Sequence, residues 1–151
     1  MTYMLYPKKR KYRKAFKGRV KNIQSRPIKI SFGSSGLIAK EAGRLSARQI
    51  EAARRAIRRR IRPFGKLYIR IFPDIPVSAK SVGARMGRGK GEFSYWMARV
   101  VPNQTIFEIG GVSPEQAIEA FKAGSAKLPI ATQSIIKTNS ISSSTSSTSS
   151  T

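Results

Sequence analysis

A chain of 151 residues has the length of one domain, and its 30 Lys and Arg against 7 Asp and Glu give a formal charge of +23. That balance, with a pI near 11.5, calls for a polyanionic partner to relieve self-repulsion. Cys and His are both absent, which excludes disulfides, thiolate or imidazole metal sites and nucleophile–histidine dyads. No apolar run approaches the roughly 20 residues of a spanning helix or resembles a secretory signal, so neither a membrane nor a small-molecule substrate is expected.

Residues 1–27 read as a basic extension. Lys8, Lys9, Arg10, Lys11, Arg13, Lys14, Lys17 and Arg19 are interleaved with Tyr3, Tyr6, Tyr12 and Phe16, without an acid and without a persistent period. Cations meet phosphates and aromatic rings stack on bases, so this composition suits an extension that orders on nucleic acid. Ile28, Ile30 and Phe32 alternate with Lys29 and Ser31, predicting a short strand that Gly33-Ser34-Ser35-Gly36 ends in a turn; Leu37 to Ala39 resumes it.

Ser46 stands at an N-cap with Gln49 three residues later, a capping box, and Leu45 can staple to Ile50. A helix over Ala47 to Arg62 follows, stopped by Pro63 and Gly65. Ile50, Ala53, Ile57 and Ile61 fall on one stripe, whereas Arg48, Arg55, Arg58, Arg59 and Arg62 collect on the far side. Glu51 is the lone acid between Arg44 and Arg62. Like charges three and four residues apart destabilise a helix by roughly 0.2–0.5 kcal/mol per pair, so this face is read as a phosphate-binding surface.

Lys66 to Phe72 alternates and predicts a strand, ended by Pro73-Asp74-Ile75-Pro76; Val77 to Val82 has no strong pattern. Phe93 to Val101 is a returning strand, and after the turn at Pro102-Asn103-Gln104 the segment Thr105 to Ile109 is expected to pair back on it as a hairpin. Ser113, Pro114 and Gln116 open a second helix through another capping box, with Ala117, Phe121, Gly124 and Leu128 on its buried stripe. Ile130 to Ile136 predicts a last strand, and from Thr138 the chain is a Ser/Thr-rich tail too polar to fold. The class is α+β: a mixed, largely antiparallel sheet with two packed helices over residues 28–137.

Between the strands, within the loop 77–92, lies Gly83-Ala84-Arg85-Met86-Gly87-Arg88-Gly89-Lys90-Gly91. Its glycines suit neither helix nor strand, so it reads as a cationic finger on a rigid frame. A Walker A loop would need glycine where Ala84 stands and Ser or Thr where Gly91 stands; the dinucleotide fingerprint would need glycine at Glu92. No nucleotide cofactor and no metal is implied. Asp74 and Glu92 lack the histidine or cysteine partners of a catalytic centre, so an enzyme is not expected. Glycine instead permits a close approach of Arg85, Met86, Gly87, Arg88, Gly89, Lys90 and Gly91 to RNA.

An ordered set of motifs accompanies these features. It runs Leu5-x-Pro7-Lys8, Ser31-Phe32-Gly33, Gly43-Arg44-Leu45-x-Ala47-Arg48-Gln49-Ile50-Glu51-Ala52-Ala53-Arg54-Arg55-Ala56, Gly65-Lys66, Ile69-Arg70-Ile71-Phe72-Pro73-Asp74-x-Pro76, Arg85-Met86-Gly87-x-Gly89-Lys90-Gly91, Tyr95-Trp96 and Lys127-Leu128-Pro129. From about Met4 to Thr138 the chain resembles the bacterial-type large-subunit ribosomal protein L-sixteen family.

That resemblance implies a structural protein lodged in large-subunit rRNA, beside neighbouring ribosomal proteins. The loop matching Arg85 to Gly91 would reach toward A-site tRNA and the peptidyl-transferase region, and Arg85 matches a position hydroxylated in some members. On that placement, the phosphate contacts expected of the extension and of Arg44, Arg48, Arg55, Arg58, Arg59 and Arg62 are contacts with rRNA. The triplet Arg58-Arg59-Arg60, the isoleucine content and a start close to the family's own suggest a mitochondrial member, with plastid or bacterial cytoplasm as alternatives. The competing class is a general nucleic-acid-binding basic protein outside the ribosome.

Overall fold

The computed structural model describes residues 5–20, 27–87 and 89–137. The expectations for Tyr3, Arg88 and the Ser/Thr tail fall outside them. Among the described residues seven strands and two helices follow in the order β1 (Ser35–Ala39), β2 (Gly43–Ser46), α1 (Ala47–Ile61), β3 (Lys66–Ile69), β4 (Ile75–Ala79), β5 (Glu92–Val100), β6 (Thr105–Gly110), α2 (Pro114–Ser125) and β7 (Thr132–Ile136). The strands form two antiparallel sheets, one ordered β3-β6-β1-β7 and the other β2-β5-β4. The α+β class holds, with the strands divided between two sheets.

α1 forms where its local signals place it. Ser46 accepts from the Gln49 amide, and the Gln49 side chain accepts from the Ser46 amide at 2.9 Å, so both arms of the capping box close. Ile50, Ala53, Ile57 and Ile61 are buried, as the stripe requires. They join Leu37 and Phe107 of the first sheet, Leu45 and Val100 of the second, and Phe121 of α2 in one core. Gly124 lets the helices close together, because a Cβ there would lie 2.5 Å from Ile57 Cγ1. In α2 only one arm of the expected box exists. Ser113 accepts from the Gln116 amide, but the Gln116 side chain donates instead to the Arg60 carbonyl, tying α2 to the last turn of α1.

Four strand expectations are corrected. Residues 28–32 are not a strand despite their alternation, and β1 begins at Ser35 where a turn was expected. The cause is Glu108 of β6. Its carboxylate, wholly buried, accepts from the amides of Ser31, Phe32 and Gly33 and pairs with Arg70 Nε at 3.1 Å, so these amides are taken by a side chain rather than a ladder. Gly33 permits this approach, since a Cβ would sit 2.4 Å from the Ile109 carbonyl oxygen.

β6 does not pair with β5. Asn103, at φ 62°, and its neighbours turn the chain into the other sheet, where β6 lies between β1 and β3. β3 ends at Ile69 rather than Phe72. β4 forms over Ile75–Ala79, where a proline turn and then a patternless run were expected; Pro76 is tolerated there because β4 is an edge strand. β2 had no recognisable sequence signal, being four residues of mixed burial.

Replacing Glu108 with Ala strands three backbone donors and Arg70, a loss of about 3–5 kcal/mol by the usual penalty for breaking a buried pair. Urea unfolding of Glu108→Ala should show that loss; a midpoint within error of wild type would remove Glu108 from its organising role.

Candidate nucleic-acid interface

The basic extension lies along the domain from α1 to the finger. Leu5 and Tyr6 share a shallow cleft with Arg48, Arg55 and Arg59 of α1. Arg10 donates to the Asp74 carbonyl, with its guanidinium 5.4 Å from the Trp96 ring centroid. Lys17 lines a second cleft with Arg44 and Arg48. Arg44 Nη2 donates to the Gly18 carbonyl at 2.5 Å, and Gly18, at φ 64°, packs against the Arg99 guanidinium. The extension therefore shares clefts with Arg44, Arg48, Arg55 and Arg59, whereas Arg58 and Arg62 line a separate groove against β3.

Hydrogen bonds and ion pairs divide these cations into two groups. Arg54 and Arg55 close on Glu51, at 2.7 and 2.9 Å, Arg58 donates to the Gly65 carbonyl, and Arg60 pairs with Glu119. Among the described residues Lys8, Lys9, Arg13, Lys17, Arg19, Arg48, Arg59 and Arg62 are exposed and have no carboxylate or carbonyl partner. Lys11 touches only the Tyr12 ring, at 5.6 Å. Arg54, absent from the sequence-based assignment, anchors Glu51, and only its spacing to that lone acid could have signalled it.

The finger is the connection of a β4–β5 hairpin, narrowed to residues 80–91. Gly91 is the close-approach point, because a Cβ would stand 2.4 Å from the Ala79 carbonyl oxygen. Gly83, Gly87 and Gly89 have φ of 81°, 91° and 77° in open space, so their role is backbone conformation and not packing. Lys80 Nζ donates to the Gly87 carbonyl at 2.8 Å and braces the loop from within. Arg85 and Met86 project outward, Met86 being 96% exposed.

Lys90 points elsewhere. Its Nζ donates to the Ala15 carbonyl at 2.6 Å and lies 4.9 Å from the Phe16 ring centroid, while Lys14 Nζ donates to the Lys90 carbonyl at 3.1 Å. This reciprocal clasp fastens the finger to the extension. Arg85, Met86, Gly87 and Gly89 are left at the tip, and Lys90 sits at the hinge side with Gly91; sequence offered no sign of that division.

The sequence matches the family described as Ribosomal protein L16p/L10e over residues 7–135. It is 50% identical over 135 residues to the large ribosomal subunit protein uL16 of Thioalkalivibrio sulfidiphilus, covering 89% of this chain and 98% of that one. The proteins of the same name from Sinorhizobium medicae and Rhizobium etli are 51% and 52% identical over 130 residues, covering 86% of this chain and 95% of each.

Two measurements probe this geometry. The hydrogen bond from Arg54 is the chief reason the Glu51 carboxyl titrates below its ordinary value; burial opposes it and Arg55 reinforces it. The stability it contributes is complete above the unfolded carboxyl pKa and is lost as pH falls through the lowered folded value. Glu51→Gln should flatten that part of the acid-unfolding curve, and an unchanged acid limb would contradict the pairing. Lys90→Ala should raise trypsin cleavage within residues 8–19 several-fold without lowering the global unfolding midpoint; unchanged cleavage would mean that the clasp holds nothing.

Proposed function

The chain belongs to the ribosomal protein L16p/L10e family and is a structural protein of the large ribosomal subunit; from that premise we propose how it divides its contacts between two RNAs. The extension and the cationic face of α1 hold large-subunit rRNA. The finger, through Arg85, Met86, Gly87, Arg88 and Gly89, approaches A-site tRNA, with Lys90 and Gly91 setting its base and Arg85 as the candidate for modification. Family membership implies rRNA and neighbouring ribosomal proteins as partners, and it is not the membership of an enzyme class.

One observation carries this reading. Arg48 and Arg59 stand exposed, with no carboxylate partner among the described residues, in the clefts that Leu5, Tyr6 and Lys17 of the extension also line. A helix with this unrelieved charge is stabilised when phosphates replace bulk counterions. Positioning and charge neutralisation are the mechanism; the RNA performs the chemistry. The ribosome that houses the chain is proposed to be organellar, on the Arg58-Arg59-Arg60 triplet and the isoleucine content, although the relatives compared are bacterial.

Sedimentation of a native extract through a high-salt gradient tests the placement. Each phosphate contact made by simple counterion release contributes a salt slope of about −0.7 to −0.9, so loose binding collapses, whereas a chain threaded into folded rRNA remains with large subunits. Release to the top of the gradient would favour a general nucleic-acid binder. Arg55→Glu with Arg59→Glu should block incorporation. Arg85→Ala or Gly89→Val should leave incorporation near wild type and slow tRNA entry to the A site. Normal A-site kinetics in subunits carrying Gly89→Val would remove the finger from that role.

A further inference from the structure

A second basic and aromatic surface lies on the edge strand β3, and neither the extension nor the finger lines it. Leu67 and Ile69 pack toward the core, so the alternation of the strand turns Tyr68 and Arg70 outward. Phe32 covers them. Its ring stacks on Tyr68 with centroids 5.5 Å apart and planes 26° from parallel, and the Arg70 guanidinium lies 4.7 Å from its centroid. Glu108 fixes this arrangement from below by holding the amides of residues 31–33 and pairing with Arg70. Phe32 nevertheless remains 62% exposed. A pre-positioned aromatic ring with most of its surface open is a stacking platform that can take a further layer.

The rim supplies charge. Arg62 and Lys66, at the end of α1 and the start of β3, are exposed and have no hydrogen-bond partner for their side chains among the described residues. Arg58 spends one N–H on the Gly65 carbonyl and faces the same concavity with the others. The nearby carboxylates are already engaged, Glu108 by Arg70 and Glu51 by Arg54 and Arg55, so the groove stays positive. A duplex hides its base faces and an acidic peptide has no use for the ring, whereas an unpaired nucleotide uses both ring and cations.

We infer that this groove binds an unpaired nucleotide of the large-subunit rRNA, its base stacked on the open side of Phe32 and its flanking phosphates on Arg62 and Lys66. The inference rests on the ribosomal placement above and adds a contact on Phe32 and β3 that neither the extension nor the finger supplies.

Short-wave ultraviolet irradiation of native large subunits, followed by mass spectrometry of the chain, tests it. A single-nucleotide adduct is expected on the peptide carrying Phe32 or Tyr68. In subunits that incorporate Phe32→Leu at wild-type level, the adduct should fall and the same nucleotide should become roughly fivefold or more reactive to base-specific reagents, the lower end of what one lost stack implies. Lys66→Glu, which removes no side-chain hydrogen bond, should expose that nucleotide too and keeps the test open if Phe32→Leu fails to assemble. A stoichiometric chain with no adduct and unchanged rRNA reactivity in both variants overturns the groove while leaving the ribosomal placement intact. A cross-link from Phe32 or Tyr68 to a neighbouring protein overturns it in favour of a protein contact. Absence of the chain from large subunits overturns both readings together.

Discussion

Seven carboxylates have to accommodate thirty cations, and where those carboxylates go decides the rest of the structure. Glu108 is wholly buried and takes Arg70 together with three backbone amides, Glu51 takes Arg54 and Arg55, and Glu119 takes Arg60. Glu108 lies under the crossing chain at residues 31–33 and Glu51 on the partly buried flank of α1, whereas Glu119 links α2 to α1 through an exposed pair. Among the described residues no other carboxylate forms an ion pair with the extension or the far face of α1. With thirty cations against seven acids that surface stays positive, and it sets an ionic-strength-dependent affinity for polyanions.

Backbone carbonyls take over where carboxylates run out. Arg10 on Asp74, Arg44 on Gly18, Arg58 on Gly65, Lys14 on Lys90 and Lys90 on Ala15 each join a cation to a main-chain oxygen. Such bonds position the side chain and the strand it reaches without cancelling the charge. The extension is thereby laid against the domain while still carrying its full positive charge toward a partner. An acid at any of these points would have fixed the geometry equally well and weakened the attraction to phosphate.

Local signals were legible in the sequence and non-local ones were not. α1 could be read almost to the residue because its cap, its stripe and its stop all lie within twenty positions of one another. β5 and β7 were visible through composition. The partners of the strands were invisible: Thr105–Gly110 follows a short turn after β5, the ordinary setting of a hairpin, yet it enters the other sheet. Ile28 to Phe32 has the alternation of a strand, but a carboxylate more than seventy residues away claims its amides. β4 was hidden by Pro76, which an edge strand tolerates and a central one would not. In the site, the identity of the cations could be read and their division could not. Whether Lys90 reaches outward or clasps Ala15 depends on where the extension runs, and nothing in the neighbourhood of Lys90 encodes that path.

The finger combines two opposite uses of glycine, and the combination explains its form. Gly91 is sterically obligatory, pressed against the Ala79 carbonyl at the base of the hairpin, whereas a Cβ at Gly83, Gly87 or Gly89 would meet nothing and these residues hold backbone angles that others rarely adopt. Packing therefore fixes the base, through Gly91 and the Lys14–Lys90 clasp, while the tip is shaped by backbone conformation and one brace from Lys80 to the Gly87 carbonyl. A tip built in this way presents main-chain groups and the Arg85 side chain at a set distance from the sheet, with no bulk to keep a nucleic-acid backbone away. Its placement is inherited from the extension. Contacts that seat the extension would also aim the finger, so the two parts of the chain form one mechanical unit joined at Lys90.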